Sequence, residues 1–145
     1  MVIASRLTRR MQIAYPIVVL GVDGAQAAAV SLVGGLALAN GASATLAEVR
    51  TEDEARRMLD LGVDFVMARD EGQAFICWIA DLISRRSYDA LLIVSGGVAD
   101  GRGLAAALVL GADGISIDAS ACGDDAAALV RRIADQAYVL LHDAA

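Results

Sequence analysis

Apolar residues fall along this chain in short β-branched runs, separated by longer mixed stretches with glycine or acidic residues at the joins. Ile17–Leu20 is the first such run; Gly21, Asp23 and Gly24 close it, and it reads as a buried strand. Residues 25–32 then predict a helix ended by Gly34-Gly35, residues 36–39 a second strand, and Leu46–Val49 a third, set off by Asn40-Gly41 and Thr51. Thr51-Glu52-Asp53-Glu54 has the spacing of a capping box and puts negative charge at the positive end of a helix running to about Leu61.

From there one unit appears twice. Leu61-Gly62-Val63-Asp64 leads into an apolar strand over 65–68, and Leu110-Gly111-Ala112-Asp113 into another over 114–117. Gly62 and Gly111 suit the left-handed residue that ends a helix before the chain returns to a sheet. Between the copies, 74–84 reads as an apolar helix and 90–94 as a strand; after them, 124–134 reads as a helix and 138–142 as a last strand. Repeated helix–glycine–strand steps imply parallel strands, because each crossover helix must carry the chain back over the sheet. The expected class is α/β, with consecutive βα units in a mostly parallel sheet of six to seven strands: a shortened TIM-barrel-like or open-sheet fold in one domain, 1–145. The chain is well short of the roughly 250 residues usual for a full barrel.

Composition narrows the function. All twelve basic residues are arginine against eighteen acidic ones, a formal charge of −6, so there is no basic footprint for nucleic acid or anionic lipid. Without lysine there is neither Schiff-base chemistry nor a P-loop lysine. Cys77 and Cys122 form no Cys-x-x-Cys pair and His142 is the single histidine, so metal-ligand spacing is missing and reduced cysteines are expected. Arg6, Arg9 and Arg10 before an apolar run loosely mimic an export signal. Pro16 and Asp23 break that pattern, and a strand followed by an alanine-rich helix explains the same residues. The expectation is a soluble, cytoplasmic protein with no membrane span.

The segment with most chemical content is Leu92-Ile93-Val94-Ser95-Gly96-Gly97-Val98-Ala99-Asp100-Gly101-Arg102-Gly103, a strand running into a glycine-rich turn and then a helix over 104–110. Paired glycines let the backbone approach a ligand and turn successive N–H groups one way. The result is a concavity for an anion such as phosphate, which the following helix would reinforce. The second contributor would be the turn after 114–117.

The stretch from Val94 through Leu108, continued by Leu110-Gly111-Ala112-Asp113-Gly114, closely resembles the nitronate monooxygenases, formerly called 2-nitropropane dioxygenases, and the related flavin-dependent enoyl reductases. Residues 10–17, around Tyr15-Pro16-Ile17, resemble that family's lead-in to its first barrel strand, Gly34-Gly35-Leu36 the start of its second, and 51–68 the helix and strand before its catalytic loop. On this alignment the family's third and fourth strands would fall between about Gly41 and Ala44 and are missing. The resemblance implies FMN at the open end of a barrel, with Ser95, Gly96, Gly97, Asp118 and Ala119 at the phosphate and alkyl nitronates as substrates. It also exposes departures. The loop that in the family commonly carries a histidine base is here Arg69-Asp70-Glu71-Gly72-Gln73-Ala74, with no histidine and with Arg69 where a flavin-contacting glutamine is usual. The family's Gln-Ala-Pro-Met is replaced by Val19-Leu20-Gly21-Val22, and its Gly-Thr after the last strand by Asp118-Ala119. A carboxylate about 4 Å from a phosphate oxygen costs on the order of 4 kcal/mol per charge pair at an effective dielectric near 20, roughly a thousandfold in affinity.

Three readings follow. The first is a nitronate-monooxygenase-like FMN domain with impaired or lost catalysis and no assignable catalytic residue. The second is a noncatalytic module, including a homo-oligomer that completes its sheet with a partner chain. The third is an enzyme on another small phosphate-bearing ligand with Asp70 or Glu71 as base. Phe75 and Trp78 at helical spacing read as core, Arg85-Arg86 and Arg131-Arg132 as solvated faces, and Asp64 and Asp113 as turn residues.

Overall fold

A computed structural model describes residues 1–38, 45–69, 72–96, 100–121 and 125–142. Along the chain lie α1 (Arg6–Met11), β1 (Ile17–Leu20), α2 (Gly24–Val33), β2 (Leu36–Leu38), β3 (Leu46–Val49), α3 (Glu52–Leu61), β4 (Phe65–Arg69), α4 (Gln73–Arg86), β5 (Leu91–Ser95), α5 (Gly101–Val109), β6 (Gly114–Asp118), a 3₁₀ turn at Ala119–Ala121 and α6 (Ala126–His142). The six strands form one sheet in the order β2-β1-β6-β5-β4-β3, with every pairing parallel. Read as a ring, that is the sequential order of a barrel: β1 pairs with the last described strand, and among the described residues the ring is open between β2 and β3. The sheet curls accordingly into a half-barrel. The stretch 41–44, where the resemblance would place the two missing strands, lies outside the described residues.

Alternation along each strand divides the core into two layers. Ile17, Val19, Val66, Ala68, Leu92, Val94 and Ile115 pack outward with Val30, Leu59, Ile79, Leu104 and Ile133 of the helices. Val18, Phe65, Met67, Leu91 and Ile93 point inward and meet Leu7 of α1, with Met11, Ile13, Leu20, Leu36 and Leu38 against them. Helix α1 thus floors the half-barrel. It is held by reciprocal Ser5–Thr8 capping, in which Thr8 N–H donates to Ser5 Oγ at 3.2 Å and Ser5 N–H to Thr8 Oγ1 at 2.8 Å. The same floor explains Gly114: a Cβ there would stand 2.6 Å from the Pro16 carbonyl oxygen and 2.8 Å from Leu7 Cδ2.

Arg6 and Asp113 tie that floor to the sheet. Arg6 Nε and Nη2 donate to the two Asp113 oxygens at 2.9 and 2.8 Å, and Asp113, 6% exposed, also accepts from Leu92 N–H at 2.7 Å. The guanidinium of Arg6 is held above its ordinary pKa, first by this hydrogen bond. Asp113 is therefore a turn residue with a structural partner over a hundred positions away. Gly62 and Gly111 do take the left-handed conformation, at φ +83° and +106°.

Two expectations need correction. The predicted strand over 138–142 is the last part of α6. Ala126, Val130, Ile133, Ala134 and Ala137 make one continuous buried helical stripe, and β6 already has both neighbours filled, by β5 and β1, so a further strand has no edge beside it. The capping box of α3 is half made: Thr51 Oγ1 accepts from Glu54 N–H at 3.2 Å, but Glu54 reaches back to Arg50 N–H instead of Thr51. Among the described residues no helix is long and apolar enough to cross a membrane.

Candidate functional site

Because β5 and β6 run parallel with Ser95 opposite Ser116, Ser95, Gly96 and Asp118 lie at the same carboxyl end of the sheet. This is the end at which barrels carry their ligands. Gly96 is exposed at φ +80°, and a Cβ there would meet only Arg69 Cγ, at 4.0 Å. Its glycine character thus follows from its left-handed backbone and not from crowding. Gly97 lies outside the described residues, as do Asp70 and Glu71. Asp118 is exposed and in register with Leu20, while the Ala119 side chain, 8% exposed, packs into the outer core and does not face the mouth.

The start of α5 differs from the sequence expectation. Gly101 N–H donates to Gln136 Oε1 at 2.9 Å, Arg102 N–H to Asp100 Oδ1 at 2.9 Å and Gly103 N–H to the Asp100 carbonyl at 3.1 Å. The amides that would have reinforced an anion site are thus already engaged. Asp100 is itself a negative cap, held below the usual carboxylate range first by the Arg102 side chain and then by its N–H. Gly101 is a packing residue: its Cβ would collide with Gln136 Cβ and stand 2.5 Å from Ala137 N, so the glycine lets α5 and α6 touch backbone to backbone. No sequence signal separated this role from ligand binding, since Gly101 stands in the same glycine-rich run as Gly96.

The polar groups at the mouth come instead from the strands. Arg69 pairs in register with Ser95, and Ser95 with Ser116. These three residues share the inward face, one step above the apolar Met67 and Ile93. Glu48 of β3 joins them: Arg69 Nη1 donates to Glu48 Oε1 at 2.8 Å, with both side chains more than a third exposed. Ser116 is 4% exposed, and its Oγ has no hydrogen-bond partner among the described residues. A buried hydroxyl so placed costs about 1–3 kcal/mol until something bonds it. Opposite this polar arc, Leu20 and Leu38 give β1 and β2 an apolar lip. Sequence reasoning missed Glu48 and Ser116; each is one polar residue in an alternating strand, and only the register shows that they face the mouth.

Beside Gly96 a cleft of about 170 Å³ runs between the ends of β4 and β5 and the start of α4, whose N-cap Gly72 offers no side-chain cap. That volume is of the size of a phosphate group and below the roughly 300–1,000 Å³ of pockets that enclose a whole drug-sized ligand. A larger hollow of about 480 Å³ lies along α6, where Val33 and the charged side chains of Asp125, Arg131, Arg132 and Asp135 line it.

The remaining candidates are accounted for locally. His142 stacks on Tyr138 with ring centroids 4.1 Å apart and Nδ1 3.0 Å from the Tyr138 carbonyl oxygen. Phe75 and Trp78 stack at 6.4 Å, half-buried against the core, with the Arg56 guanidinium 5.2 Å over the indole. Cys77 is a free, half-buried thiol, and Cys122 is outside the described residues. Among the described residues there is no group of three or more His, Cys, Asp or Glu side chains able to hold a metal ion.

Neither a family model nor a curated protein sequence matches this chain. Solved structures do. FabK from Thermotoga maritima superposes with a TM-score of 0.63 at 19% identity, over 80% of this chain and 61% of FabK. A mutant flavocytochrome b2 with pyruvate bound superposes at 0.52 and 18% identity, over 66% of this chain and 30% of that one. Nicotinate-nucleotide pyrophosphorylase from Ehrlichia chaffeensis does so at 0.54 and 17% identity, over 71% and 50%. The shared feature is the β/α-barrel fold, of which this chain spans about three fifths of FabK's length.

Proposed function

We propose that this chain is a nitronate-monooxygenase-like flavin domain that binds FMN at the strand ends, with the family's oxidation of nitronates impaired or lost. The observation that carries the reading is the ring order of the strands. It sets Ser95-Gly96, from the segment that resembles the family's phosphate turn, beside the end of β6 as in a closed barrel. The fold likeness to FabK and to flavocytochrome b2 supports a flavin ligand over other phosphate-bearing ones. The likeness to a nicotinate-nucleotide enzyme keeps the third, phosphorylated-ligand reading in play as the rival. FMN would supply hydride and electron transfer when bound. Gly96 and its neighbours would hold the phosphate, Arg69, Ser95 and Ser116 would offer donors at the mouth, and Leu20 and Leu38 an apolar lip for a flat ring. The loop after β4 lacks the family's histidine and His142 is engaged by its own helix, so the family's histidine-assisted oxidation has no histidine to carry it at this mouth. Titrating the purified chain with FMN and following flavin fluorescence tests the binding. Saturable binding without nitronate-dependent oxygen uptake is expected, and rapid nitronate turnover would overturn the impaired-enzyme part.

One observation favours the second reading, a noncatalytic assembly module: among the described residues the outer edges of β2 and β3 have no strand neighbour, and Leu46 on β3 is exposed. A partner chain that added strands there would complete the ring. Sedimentation equilibrium separates the two readings, since a monomer at high concentration excludes assembly.

A further inference from the structure

We infer that Arg69 determines which ligands the mouth accepts: its guanidinium takes the ligand's phosphate, and Glu48 is the partner it leaves to do so. This rests on the reading of the mouth as the phosphate end of a ligand site.

Four observations carry it. The stem of Arg69 passes over Gly96, with Cγ 4.0 Å from where a Cβ would stand, so the head is within side-chain reach of anything seated on that glycine. The amides of Gly101, Arg102 and Gly103 are already bonded within the protein, so the helix that follows the glycine turn offers an anion little through them. The pair with Glu48 is a single contact, Nη1 to Oε1, between two exposed side chains. Such a pair is weak and salt-sensitive, and the remaining guanidinium donors suit a phosphate's several oxygens. Finally, Ser95 and Ser116 continue the row from Arg69 on the same face, and the Ser116 hydroxyl is buried without a partner among the described residues. A cation followed by two hydroxyls matches an anion rich in acceptors and would discriminate against the same ligand without its phosphate; Asp118, two residues beyond Ser116 on the same face, is the opposing charge that Arg69 has to offset.

The charges give opposite signs to two substitutions. Glu48 competes for Arg69 and also repels an incoming anion, so Glu48→Gln should strengthen binding. Arg69→Gln replaces a charge-assisted contact with a neutral one and should weaken it. Isothermal titration of the full chain with FMN, riboflavin and inorganic phosphate reads both effects, and circular dichroism verifies that each variant is folded. The expected result is a preference for FMN over riboflavin that falls about tenfold in Arg69→Gln, is partly restored in Arg69→Lys, and rises several-fold in Glu48→Gln. In the Arg69→Gln background, Glu48→Gln should add less than it does alone.

If the unmodified chain binds FMN and Arg69→Gln leaves the preference unchanged, the role of Arg69 is overturned and the flavin reading stands. If the chain binds inorganic phosphate through Arg69 but not FMN, the role stands and the flavin reading falls. Failure to bind FMN, riboflavin and phosphate alike overturns both.

Discussion

At the scale of single residues, two glycines of one run do different work. Gly96 meets only the Arg69 stem and needs its left-handed backbone, whereas Gly101 has no space for a Cβ; outside that run, Gly114 has none either. Gly114→Ala should destabilise the chain by about 1–3 kcal/mol, because the added methyl meets a backbone oxygen and the buried Leu7 together. A thermal melt should show this as a midpoint lowered by about 2–4 °C per kcal/mol, with FMN affinity changing far less. Asp113 is the polar counterpart. Asp113→Ala leaves the Leu92 N–H buried without its partner and Arg6 without its carboxylate, and should cost about 2–3 kcal/mol in urea unfolding. The sequence marked Asp113 only as a turn residue because its partner, Arg6, lies at the far end of the chain and belongs to a helix that the hydrophobic pattern did not reveal. Ser5-x-x-Thr8 was the available signal for that helix.

Among the elements, the strands were legible wherever the run was short, β-branched and closed by a turn. β1, β3, β4, β5 and β6 match their predicted ranges to within a residue or two, and the described part of β2 falls inside its own. The failure at 138–142 has a physical cause. Tyr-Val-Leu-Leu is locally strand-like, but the helical stripe from Ala126 to Ala137 extends through it, and the closing pair β1·β6 occupies the edge that a strand would need. Helix α5 makes a pH-dependent prediction. Its cap Asp100 has a lowered folded pKa, so its contribution is complete above the ordinary carboxylate range and is lost as pH falls through the lower folded value. Amide exchange at Arg102, whose N–H bonds the carboxylate, should accelerate in acid. Asp100→Asn, which keeps a capping oxygen without the charge, should flatten that dependence; an identical acid profile in the variant would remove Asp100 as its source.

For the whole molecule, the parallel sheet followed from repeated helix–glycine–strand units and its barrel-like form from the resemblance, whereas the place of the open seam appears only in the strand order. The inward row Arg69, Ser95, Ser116 was not legible, because it exists only in the register between three strands far apart in sequence. Nor was the engagement of the α5 amides, which depends on Gln136 reaching Gly101 from α6. A ring lacking a β2–β3 pair exposes two edges, and Leu46→Lys at that seam should leave a monomer folded while reducing any self-association seen by sedimentation. Unchanged association in that variant would place the contact elsewhere.

The central claim is that an incomplete flavin-type ring still presents a phosphate-binding mouth at the ends of β5 and β6. Its most direct test is the change in melting temperature of the chain on adding FMN, compared with riboflavin at the same concentration. A rise with FMN that greatly exceeds the rise with riboflavin is the predicted result; equal shifts, or none with either, would contradict it.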